Sequence, residues 1–419
     1  MANSETADVV VVGGGAAGLA TAALTARAVR GGRVVLLDGA RALGAKILVS
    51  GGGRCNVTNR VVTERDFWGG DPRVIRNVLR ALPAERAVSL FAELGVTLHE
   101  EQDGKLFPTT NSARTILDAL VREVRAAGVE LCPGQRVSGI QRREGGFTVS
   151  TSSGDAYATR VVVLATGGRS LPKSGSDGAG YELARSFGHG YVETTPALVP
   201  LVVDGRVHAA LSGVSHPAAI TVRGDGTPPI RLERALLWTH FGVSGPVVLN
   251  ASRHWLRARL GGGSVDARLS VLPTDSFESL ESWLLAQARE RPRATVRAAL
   301  ASRLPASVAD AWLSIAAVDA GQTLAHLARE ARRSLITALL DTPLHVRDSR
   351  GYNYAEVTAG GVPLSEIDPA TMESRVQPGL FLVGEILDVD GRLGGFNFQW
   401  AWSSAWVAAH AIAKRMTPA

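Results

Sequence analysis

The sequence predicts an α/β fold, and three observations lead to that class. A buried β-branched run at residues 9–12 is followed by a glycine-rich turn, an Ala- and Leu-rich helix and a second short strand. A similar strand, glycine turn and helix return near the C-terminus. The residues between these two regions are first β-rich and then helical. We therefore predict a Rossmann-like domain interrupted by a β-rich and a helical insertion, with segments 1–193, 194–272, 273–342 and 343–419.

The opening strand–helix–strand pattern predicts a site for the pyrophosphate of a dinucleotide. Glycines at 13, 15 and 18 follow the first strand, and the second strand ends in Asp38. Gly13 permits the tight turn, Gly15 lets the backbone approach the phosphates, and Gly18 lets the helix pack closely on the strand. The N–H groups at the helix start would hold the phosphates, and Asp38 would accept hydrogen bonds from the ribose hydroxyls.

Three further segments suit a flavin dinucleotide. Residues 50–59, SGGGRCNVTN, contain too many glycines for a regular element and too many polar groups for a passive loop. A buried strand at 161–164 ends in Ala-Thr-Gly-Gly, which leaves room for a nucleotide over its carboxyl end. Gly384-Glu385 precede a helix that starts near 395–398, and its N-terminal dipole would stabilise an anionic reduced flavin ring. Because a nicotinamide enzyme has no need of this last segment, the set predicts FAD.

The middle of the chain predicts the two insertions. Short β-like runs alternate with Gly and Pro turns from about 194 to 272. From 275 to 340 the pattern is helical, and Asp275 and Glu278 stand at the spacing of a capping box.

Composition and charge narrow the class of protein. The chain carries 45 Lys and Arg residues against 39 Asp and Glu, a formal net charge of +6, and 45% of its residues are hydrophobic. This composition excludes a disordered or fibrous chain, and two cysteines exclude a disulfide scaffold. No basic run is longer than the Arg pairs at 142–143 and 332–333, so the charge permits a nucleic-acid partner without identifying one.

The N-terminal residues do not resemble an export signal. Residues 9–26 are largely apolar, but the residues before them include Glu5 and Asp8 and no Lys or Arg. No segment approaches the ~20 apolar residues of a membrane span. We therefore expect a cytoplasmic protein without a membrane association.

The chain resembles one known family over most of its length. The motifs that carry the resemblance are VVVVGGGAAGL at 9–19, SGGGRCNVTN at 50–59, ATGGRSLPKSGSDGAGY at 165–181, THFGVSGP at 239–246, EVTAGGVPL at 356–364 and GEILDVDGRLGGFNFQWAWSSA at 384–405. On these residues it is similar to the bacterial BaiN/RdsA-like flavoproteins, within the glutathione-reductase-like group with two dinucleotide domains. The resemblance implies an FAD domain with insertions over the flavin. It also implies reduction of a conjugated C=C bond, as in ribosomal RNA dihydrouridine synthesis or bile-acid metabolism.

Such a reduction needs an acid and a donor to the substrate oxygen. Hydride from N5 of reduced flavin would reach the electron-poor carbon, an acid would protonate the adjacent carbon, and a donor would stabilise the enolate-like oxygen. We predict Cys55 as the acid and Arg54 or His240 as the donor. The alternatives are that Cys55 is a small packed core residue and that His240 makes a structural hydrogen bond.

The motifs and the resemblance together give the expected cofactor contacts. They are Gly13, Gly15, Ala16, Ala17, Gly18, Asp38, Lys46, Gly52, Gly53, Arg54, Cys55, Asn56, Val137, Ala165, Thr166, Gly167, Gly384, Glu385, Gly395, Phe396 and Asn397. The nine histidines show no paired metal-ligand spacing, so we expect no metal site. No second G-x-G-x-x-G follows residue 18, and NAD(P)H, the expected reductant, would therefore bind transiently.

The favoured substrate is uridine in ribosomal RNA, which would make that RNA a partner. Two alternatives remain: a small-molecule flavin oxidoreductase acting on an enone or amine, and a flavin-bound RNA-binding protein without turnover.

Overall fold

The computed structural model describes residues 4–29, 31–226 and 228–416, and the chain divides into two compact units. The first unit is Met1–Pro196 with Glu356–Ala419, and the second is Ala197–Ala355. Each unit has an apolar core of its own. The second unit contains both predicted insertions except residues 194–196, and it also contains residues 343–355, which the sequence places in the returning domain. The four-segment division itself stays a prediction.

The strands and helices have the following bounds. The strands are β1 Ser4–Val12, β2 Val34–Asp38, β3 Thr58–Asn59, β4 Phe67–Gly69, β5 Leu98–Glu101, β6 Lys105–Pro108, β7 Glu130–Pro133, β8 Val137–Arg143, β9 Gly146–Thr151, β10 Ala156–Leu164, β11 Val192–Ala197, β12 Leu201–Val203, β13 Ser215–Gly224, β14 Ile230–Thr239, β15 Gly242–Ser244, β16 Val265–Ser270, β17 Thr342–Pro343, β18 Val346–Ser349, β19 Val357–Gly361, β20 Leu380–Leu382 and β21 Val389–Gly391. The helices are α1 Ala16–Ala28, α2 Ala45–Gly53, α3 Pro72–Ala81, α4 Ala84–Glu93, α5 Ala113–Ala126, α6 Ala179–Arg185, α7 Val207–Ala210, α8 Pro246–Leu260, α9 Phe277–Glu290, α10 Val296–Leu300, α11 Ala306–Ile315, α12 Arg329–Leu340 and α13 Phe396–Met416.

A seven-stranded sheet forms the centre of the first unit. Its order is β7-β2-β1-β10-β9-β8, and β20 lies beside the C-terminal half of β10. Strands β7, β2, β1, β10 and β20 run parallel, whereas β8 and β9 are antiparallel. Residues 9–12 and 34–37 are buried, as expected of parallel strands covered on both faces. The predicted α/β class with a Rossmann-like domain is confirmed.

The N-terminal and C-terminal helices of the first unit pack against each other. Helix α1 is built mostly of Ala and Thr, which lets α13 approach it closely. Two tryptophans anchor the start of α13, because Trp400 Nε1 donates to the Gly384 oxygen at 3.2 Å and Trp402 Nε1 donates to the Val57 oxygen at 2.9 Å. The C-terminal helix is therefore fixed to two of the glycine-rich segments that the sequence singled out.

The second unit is built on a seven-stranded antiparallel sheet. Its order is β17-β16-β13-β14-β15-β12-β18, so β18 is a terminal strand. Helix α8 packs on β13 and β14, and helices α9 to α12 bury Trp312, Leu335 and Leu339 in the same core. One core thus contains both the β-rich and the helical parts of this unit.

Two local patterns in this unit differ from expectation. Helix α8 lies inside the segment predicted to be β-rich. Its buried residues Val247, Ala251 and Trp255 have helical spacing, but the β-branched pair Val247-Val248 is also typical of a strand and led to the wrong prediction. Helix α9 is capped by Ser276 and not by Asp275, since the Ser276 hydroxyl accepts from the Ser279 N–H at 3.2 Å.

Candidate functional site in the first unit

The carboxyl ends of three parallel strands bring separate sequence motifs to one edge of the sheet. Val12 of β1 pairs with Leu164 of β10, and Leu164 pairs with Leu382 of β20. The residues after these strands are the glycine turn from 13, the small residues from 165 and the Gly384 turn. Three predicted segments from distant parts of the chain therefore meet where open α/β sheets bind ligands.

Two glycines of the first turn are required by the protein itself. Gly13 has φ +108°, and a Cβ there would lie 2.4 Å from the Ala165 oxygen. A Cβ on Gly18 would lie 1.8 Å from the Gly13 oxygen. Any side chain at either position would collide with backbone, so both glycines set the close packing of β1, α1 and β10.

Gly15 differs from its two neighbours in the motif. No atom of the described residues lies within 4 Å of the position a Cβ would take, and its φ of −82° is ordinary. No side chain caps the start of α1, and the N–H groups of Ala16, Ala17 and Gly18 have no partner within the helix. Open space beside uncapped N–H groups fits the pyrophosphate of a dinucleotide.

Asp38 holds the turn from the neighbouring strand. Its carboxylate accepts from the Gly14 N–H at 2.5 Å and from the Ala40 N–H at 2.6 Å. Burial raises the pKa of this carboxyl above its usual value, although both hydrogen bonds favour the charged form. The next loop is tied to this one, since the Gly134 N–H donates to the Ala40 oxygen at 2.9 Å, three residues before Val137.

A buried hydroxyl lies beside the same edge. Thr166 Oγ1 has no hydrogen-bond partner among the residues that the structure describes. A Cβ on Gly180 would lie 1.8 Å from this oxygen, so a glycine is required where α6 passes Thr166. An unsatisfied buried hydroxyl is costly unless another group supplies a partner.

Lys46 and Glu385 form the centre of a polar network that sequence reasoning recovered only in part. Lys46 Nζ lies 2.5 Å from Glu385 Oε2 and 2.6 Å from Ser170 Oγ. Glu385 Oε1 accepts from Ser170 Oγ at 2.9 Å and from the Thr358 N–H at 3.0 Å. Ser170 and Thr358 were not among the predicted contacts, although both lie in motifs that carry the family resemblance. The network fixes the Glu385 carboxylate from three directions.

The glycine run that ends α2 leaves helical geometry and adopts left-handed backbone, as its composition predicts. Gly51, Gly52 and Gly53 have φ values of +55°, +68° and +83°. No atom of the described residues lies within 4 Å of a Cβ placed on Gly52, and Gly53 is also exposed. The loop backbone is therefore open to an approaching ligand, while Asn56 at its end is buried.

Cys55 is a buried residue in a left-handed conformation. Its φ is +62°, its side chain is 0% exposed, and its N–H donates to the Ser50 oxygen at 3.0 Å. Burial raises the pKa of the Cys55 thiol to about 12. The thiol therefore carries its proton at neutral pH.

Arg54 is held by two different contacts. Its guanidinium pairs with Glu101 at 2.6 and 3.3 Å, and it lies over the Phe107 ring at 4.1 Å from the centroid. The same Arg54 contact lowers the pKa of the Glu101 carboxyl below its usual value. His99 Nε2 lies 3.3 Å from Glu101, and its buried Nδ1 has no partner among the described residues. Sequence reasoning identified Arg54 but not Glu101 or His99, because neither lies in a recognisable motif.

The start of α13 is the last part of this edge. A Cβ on Gly395 would lie 2.5 Å from the Thr58 oxygen, so the helix begins in contact with the second motif. The Asn397 side chain exchanges hydrogen bonds with Gly391, donating at 2.9 Å and accepting at 2.8 Å. The Asn397 amide is thus occupied within the protein, and Phe396 is buried.

His240 belongs to the second unit and is exposed. It follows β14, and its ring meets the Phe241 ring edge-to-face at 5.1 Å. Cys55 and Arg54 are therefore neighbours within the first unit, whereas His240 is placed by a different sheet.

The part of the chain that the structure describes has neither a cluster of metal ligands nor a membrane-spanning helix. Within residues 4–29, 31–226 and 228–416, no group of three or more His, Cys, Asp or Glu side chains could hold a metal ion. Over the same residues, no helix has both the length and the apolar character needed to cross a bilayer.

Comparison with known proteins gives a family model and relatives that cover the whole fold. The model described as the HI0933-like protein Rossmann domain matches residues 7–411. The chain is 35% identical over 405 residues to the ribosomal RNA dihydrouridine synthase of Escherichia coli K12, covering 96% of this chain and 97% of that protein. It is 32% identical over 411 residues to the 3-dehydro-bile acid delta(4,6)-reductase of Clostridium scindens, covering 97% and 98%. An E. coli quinol fumarate reductase structure aligns with a TM-score of 0.53 at 16% identity, covering 99% of this chain and 71% of that one, which is a likeness of fold alone.

Proposed function

The chain belongs to the family described as the HI0933-like protein Rossmann domain, and on that premise we propose that it reduces uridine in ribosomal RNA to dihydrouridine. It is an FAD-dependent oxidoreductase, so the predicted family and cofactor are confirmed. The substrate, the reductant and the role of each site residue are the proposal. The observation that carries the substrate is the 35% identity to the E. coli ribosomal RNA dihydrouridine synthase over 97% of that protein.

The cofactor would lie along the carboxyl edge of the first unit's sheet. We assign its pyrophosphate to the open side of Gly15 and the N–H groups at the start of α1. The adenosine end is assigned to Asp38 and the loop before Val137, and the ribityl and ring end to the Lys46–Glu385 pair and the start of α13. The Asp38 carboxylate already accepts two backbone N–H groups, so its remaining lone pairs would serve the ribose.

FAD supplies the hydride when it is bound and reduced, and the chain's own residues would supply the proton and the charge stabilisation. Cys55 is the proposed acid, and burial keeps its thiol protonated at neutral pH. Arg54 is fixed by Glu101 and Phe107, which would hold its remaining N–H groups in one direction toward an enolate-like oxygen. His240 stays the alternative donor.

The two electrons of each turnover must come from an outside donor. We propose NAD(P)H, which would bind transiently because the chain has one G-x-G-x-x-G motif and not two. A cytoplasmic location, where both NAD(P)H and ribosomal RNA are found, stays a prediction.

A small-molecule enone is the second candidate substrate. The 32% identity to the C. scindens 3-dehydro-bile acid delta(4,6)-reductase over 98% of that protein favours it. Under this alternative, NAD(P)H oxidation by the purified flavoprotein would rise with a conjugated ketone and would not respond to RNA.

The deciding experiment compares modified nucleosides in ribosomal RNA from wild-type and deletion cells. We expect one dihydrouridine to disappear on deletion and to return when the wild-type gene is restored. A Gly15→Val copy, in which FAD binding should be strongly weakened, should restore less dihydrouridine than the wild-type gene does. Dihydrouridine that is unchanged on deletion would exclude ribosomal RNA as the substrate, and a small-molecule enone would remain the candidate.

A further inference from the structure

The positive charge of the chain is concentrated in the second unit. Residues 197–355 contain 18 Arg, no Lys and 13 Asp and Glu, a net charge of +5. The larger first unit contains 27 Lys and Arg against 26 Asp and Glu, a net charge of +1. Nearly all of the +6 therefore lies in the unit that interrupts the flavin domain, and every cation there is an arginine. Arginine is the side chain that best pairs with phosphate and also stacks on flat rings.

One surface cluster of this unit, which we name the aromatic clamp, consists of Phe241, Arg350 and Tyr354. The Arg350 guanidinium carbon lies 4.3 Å from the Phe241 ring centroid and 3.7 Å from the Tyr354 ring centroid. Arg350 follows the terminal strand β18, and its N–H donates to the Pro200 oxygen at 2.9 Å. Phe241 lies in the turn between β14 and β15, so the sheet fixes both the arginine and one of its rings.

The clamp has the features of a binding surface and not of a packed core. Tyr354 is 52% exposed, which leaves part of its ring open to solvent. Arg350 forms no ion pair with any carboxylate of the described residues. On strand β18, Arg347 lies 3.9 Å from Asp204, and Arg259 lies 3.8 Å from Asp348 while donating to the Arg347 oxygen at 2.5 Å. An exposed ring beside the Arg350 guanidinium, which has no ion-pair partner among the described residues, suits a ligand that offers a flat face and negative charge together.

Single-stranded RNA offers both features in one molecule. Unstacked bases bind to exposed aromatic rings and arginine planes, while the phosphates bind to nearby basic groups. A uracil that is to be reduced must also leave its base stack before it can reach a flavin. A bile acid or simple enone has a flat or apolar face, but at most one negative charge, and so has less use for a unit with a net charge of +5.

We propose that the aromatic clamp stacks a base of single-stranded, uridine-containing RNA and that the surrounding arginines hold its phosphates. This inference rests on the proposed function and names the surface that would recognise its substrate. The exposed His240 lies next to Phe241 in the chain, so a base on the clamp would lie close to a candidate hydrogen-bond donor.

The test measures binding of a fluorescent oligouridylate to the FAD-loaded protein at several salt concentrations. Tyr354→Ala should weaken binding by about tenfold to a hundredfold, with an unchanged salt dependence, because it removes stacking and no charge. Arg350→Gln should weaken binding and also lower the slope of log affinity against log salt by about 0.7, the value for one single-strand phosphate contact. Tyr354→Phe, which keeps the ring, should bind like the wild type.

The matched control is the Arg333–Phe277 pair of the same unit. Its guanidinium also lies over an aromatic ring, at 5.1 Å, but on the helices α12 and α9. Arg333→Gln should leave RNA affinity near the wild-type value. Equal FAD content and equal melting temperatures in all variants would show that folding is preserved.

Three results would overturn the proposal. If Tyr354→Ala and Arg350→Gln bind oligouridylate as well as Arg333→Gln does, the clamp is not the base site. Dihydrouridine formation by the wild type would then still support the proposed function. If the wild type neither binds the oligonucleotide nor forms dihydrouridine, the proposed function fails with it. If the clamp variants instead lose turnover of a conjugated ketone while RNA has no effect, the surface recognises a flat small molecule.

Discussion

The two units of this protein differ in how each would hold a ligand. The first unit contains 35 of the 46 glycines, many of them with positive φ at the carboxyl edge of its sheet, and its charges nearly balance. The second unit contains 11 glycines, and its charge excess comes from arginine alone. On the proposed assignment, the first unit would present backbone to its cofactor, whereas the second would present side chains to its ligand. Substitutions should therefore act through backbone space in one unit and through charge, stacking and burial in the other.

The largest effect is expected from the glycine motif of the first unit. Gly18→Ala places a Cβ 1.8 Å from the Gly13 oxygen and should destabilise the apoprotein by about 3 kcal/mol or more. Gly15→Val points into open space and should leave the apoprotein melting temperature unchanged. It should nevertheless weaken FAD binding roughly a hundredfold, or about 2.7 kcal/mol, because its side chain takes the space that the phosphates need. Thermal melting of the apoprotein and FAD titration measure the two effects separately.

The melting temperature of the Gly15→Val apoprotein can contradict this assignment. If Gly15→Val lowers the apoprotein melting temperature as much as Gly18→Ala does, the open side of Gly15 is not a ligand site. The glycine would then serve packing, like its neighbours in the motif.

The second effect concerns Cys55 in the same unit. Cys55→Ala should retain FAD but lose about a hundredfold or more in turnover with the physiological acceptor, because the proton donor is removed. The absorbance spectrum measures bound flavin, and the rate of acceptor reduction measures turnover. Cys132→Ala, which changes the other cysteine, serves as the control and should keep full turnover. Unchanged turnover in Cys55→Ala would leave this residue with a packing role only.

A third effect should distinguish the units by their sensitivity to acid. Burial and the nearby Arg253 lower the pKa of His254 in the second unit to about 3, whereas an unfolded histidine titrates near 6.5. The unfolded chain therefore binds the proton first, so this contribution to stability is present above pH 6.5 and is lost as the pH falls toward 3. At pH 5 the loss should be about 2 kcal/mol.

Thermal melting of the wild type across that pH range measures the loss of folding stability, and two histidine variants test whether it comes from His254. His254→Gln should flatten the pH dependence, and a change at the exposed His326 should not. A wild-type stability that stays constant from pH 7.5 to 5 would contradict the assignment.

The smallest effect is expected from surface charge. Replacing Arg206, Arg347 and Arg350 by Gln should reduce RNA affinity on the order of tenfold and lower the salt slope by about two. The matched change in the first unit is Arg41, Arg114 and Arg125 to Gln, which removes three arginines that line a cleft of about 630 Å³. We expect that variant to bind RNA like the wild type. Equal losses from both triple variants would show that RNA responds to overall charge and not to the second unit.

Local spacing predicted the parts of the site that are local. Gly13, Gly15 and Gly18 follow one strand within six residues; Gly13 and Gly18 lie against backbone as the spacing predicts, and the role of Gly15 at the phosphates stays a prediction. The contact between Lys46 and Glu385 joins residues 339 positions apart, so no spacing rule could pair them or add Ser170 and Thr358. The pairing of Arg54 with Glu101 is hidden for the same reason.

Burial was also outside the reach of the sequence pattern. Cys55 follows an exposed glycine loop and Arg54, yet its side chain is fully covered, because the backbone turns inward at a left-handed residue. Likewise, α8 was read as part of a β-rich segment, since Val247 and Val248 fit a strand as well as a helix. The fold class depends on periodicity and was predicted, whereas long-range pairing depends on the folded chain and was not.

The pairing of β11 with β19 affects how the second unit is joined to the first. These two strands, Val192–Ala197 and Val357–Gly361, carry the chain out of the first unit and back into it side by side. The exit and the return are therefore already joined within the flavin domain, and the length of the excursion between them adds little entropic cost. Such an arrangement would allow the residues between β11 and β19 to change in length or sequence without disturbing the flavin domain. The E. coli ribosomal RNA dihydrouridine synthase and the C. scindens bile acid reductase align with 96% and 97% of this chain, so both alignments include the excursion as well as the flavin domain.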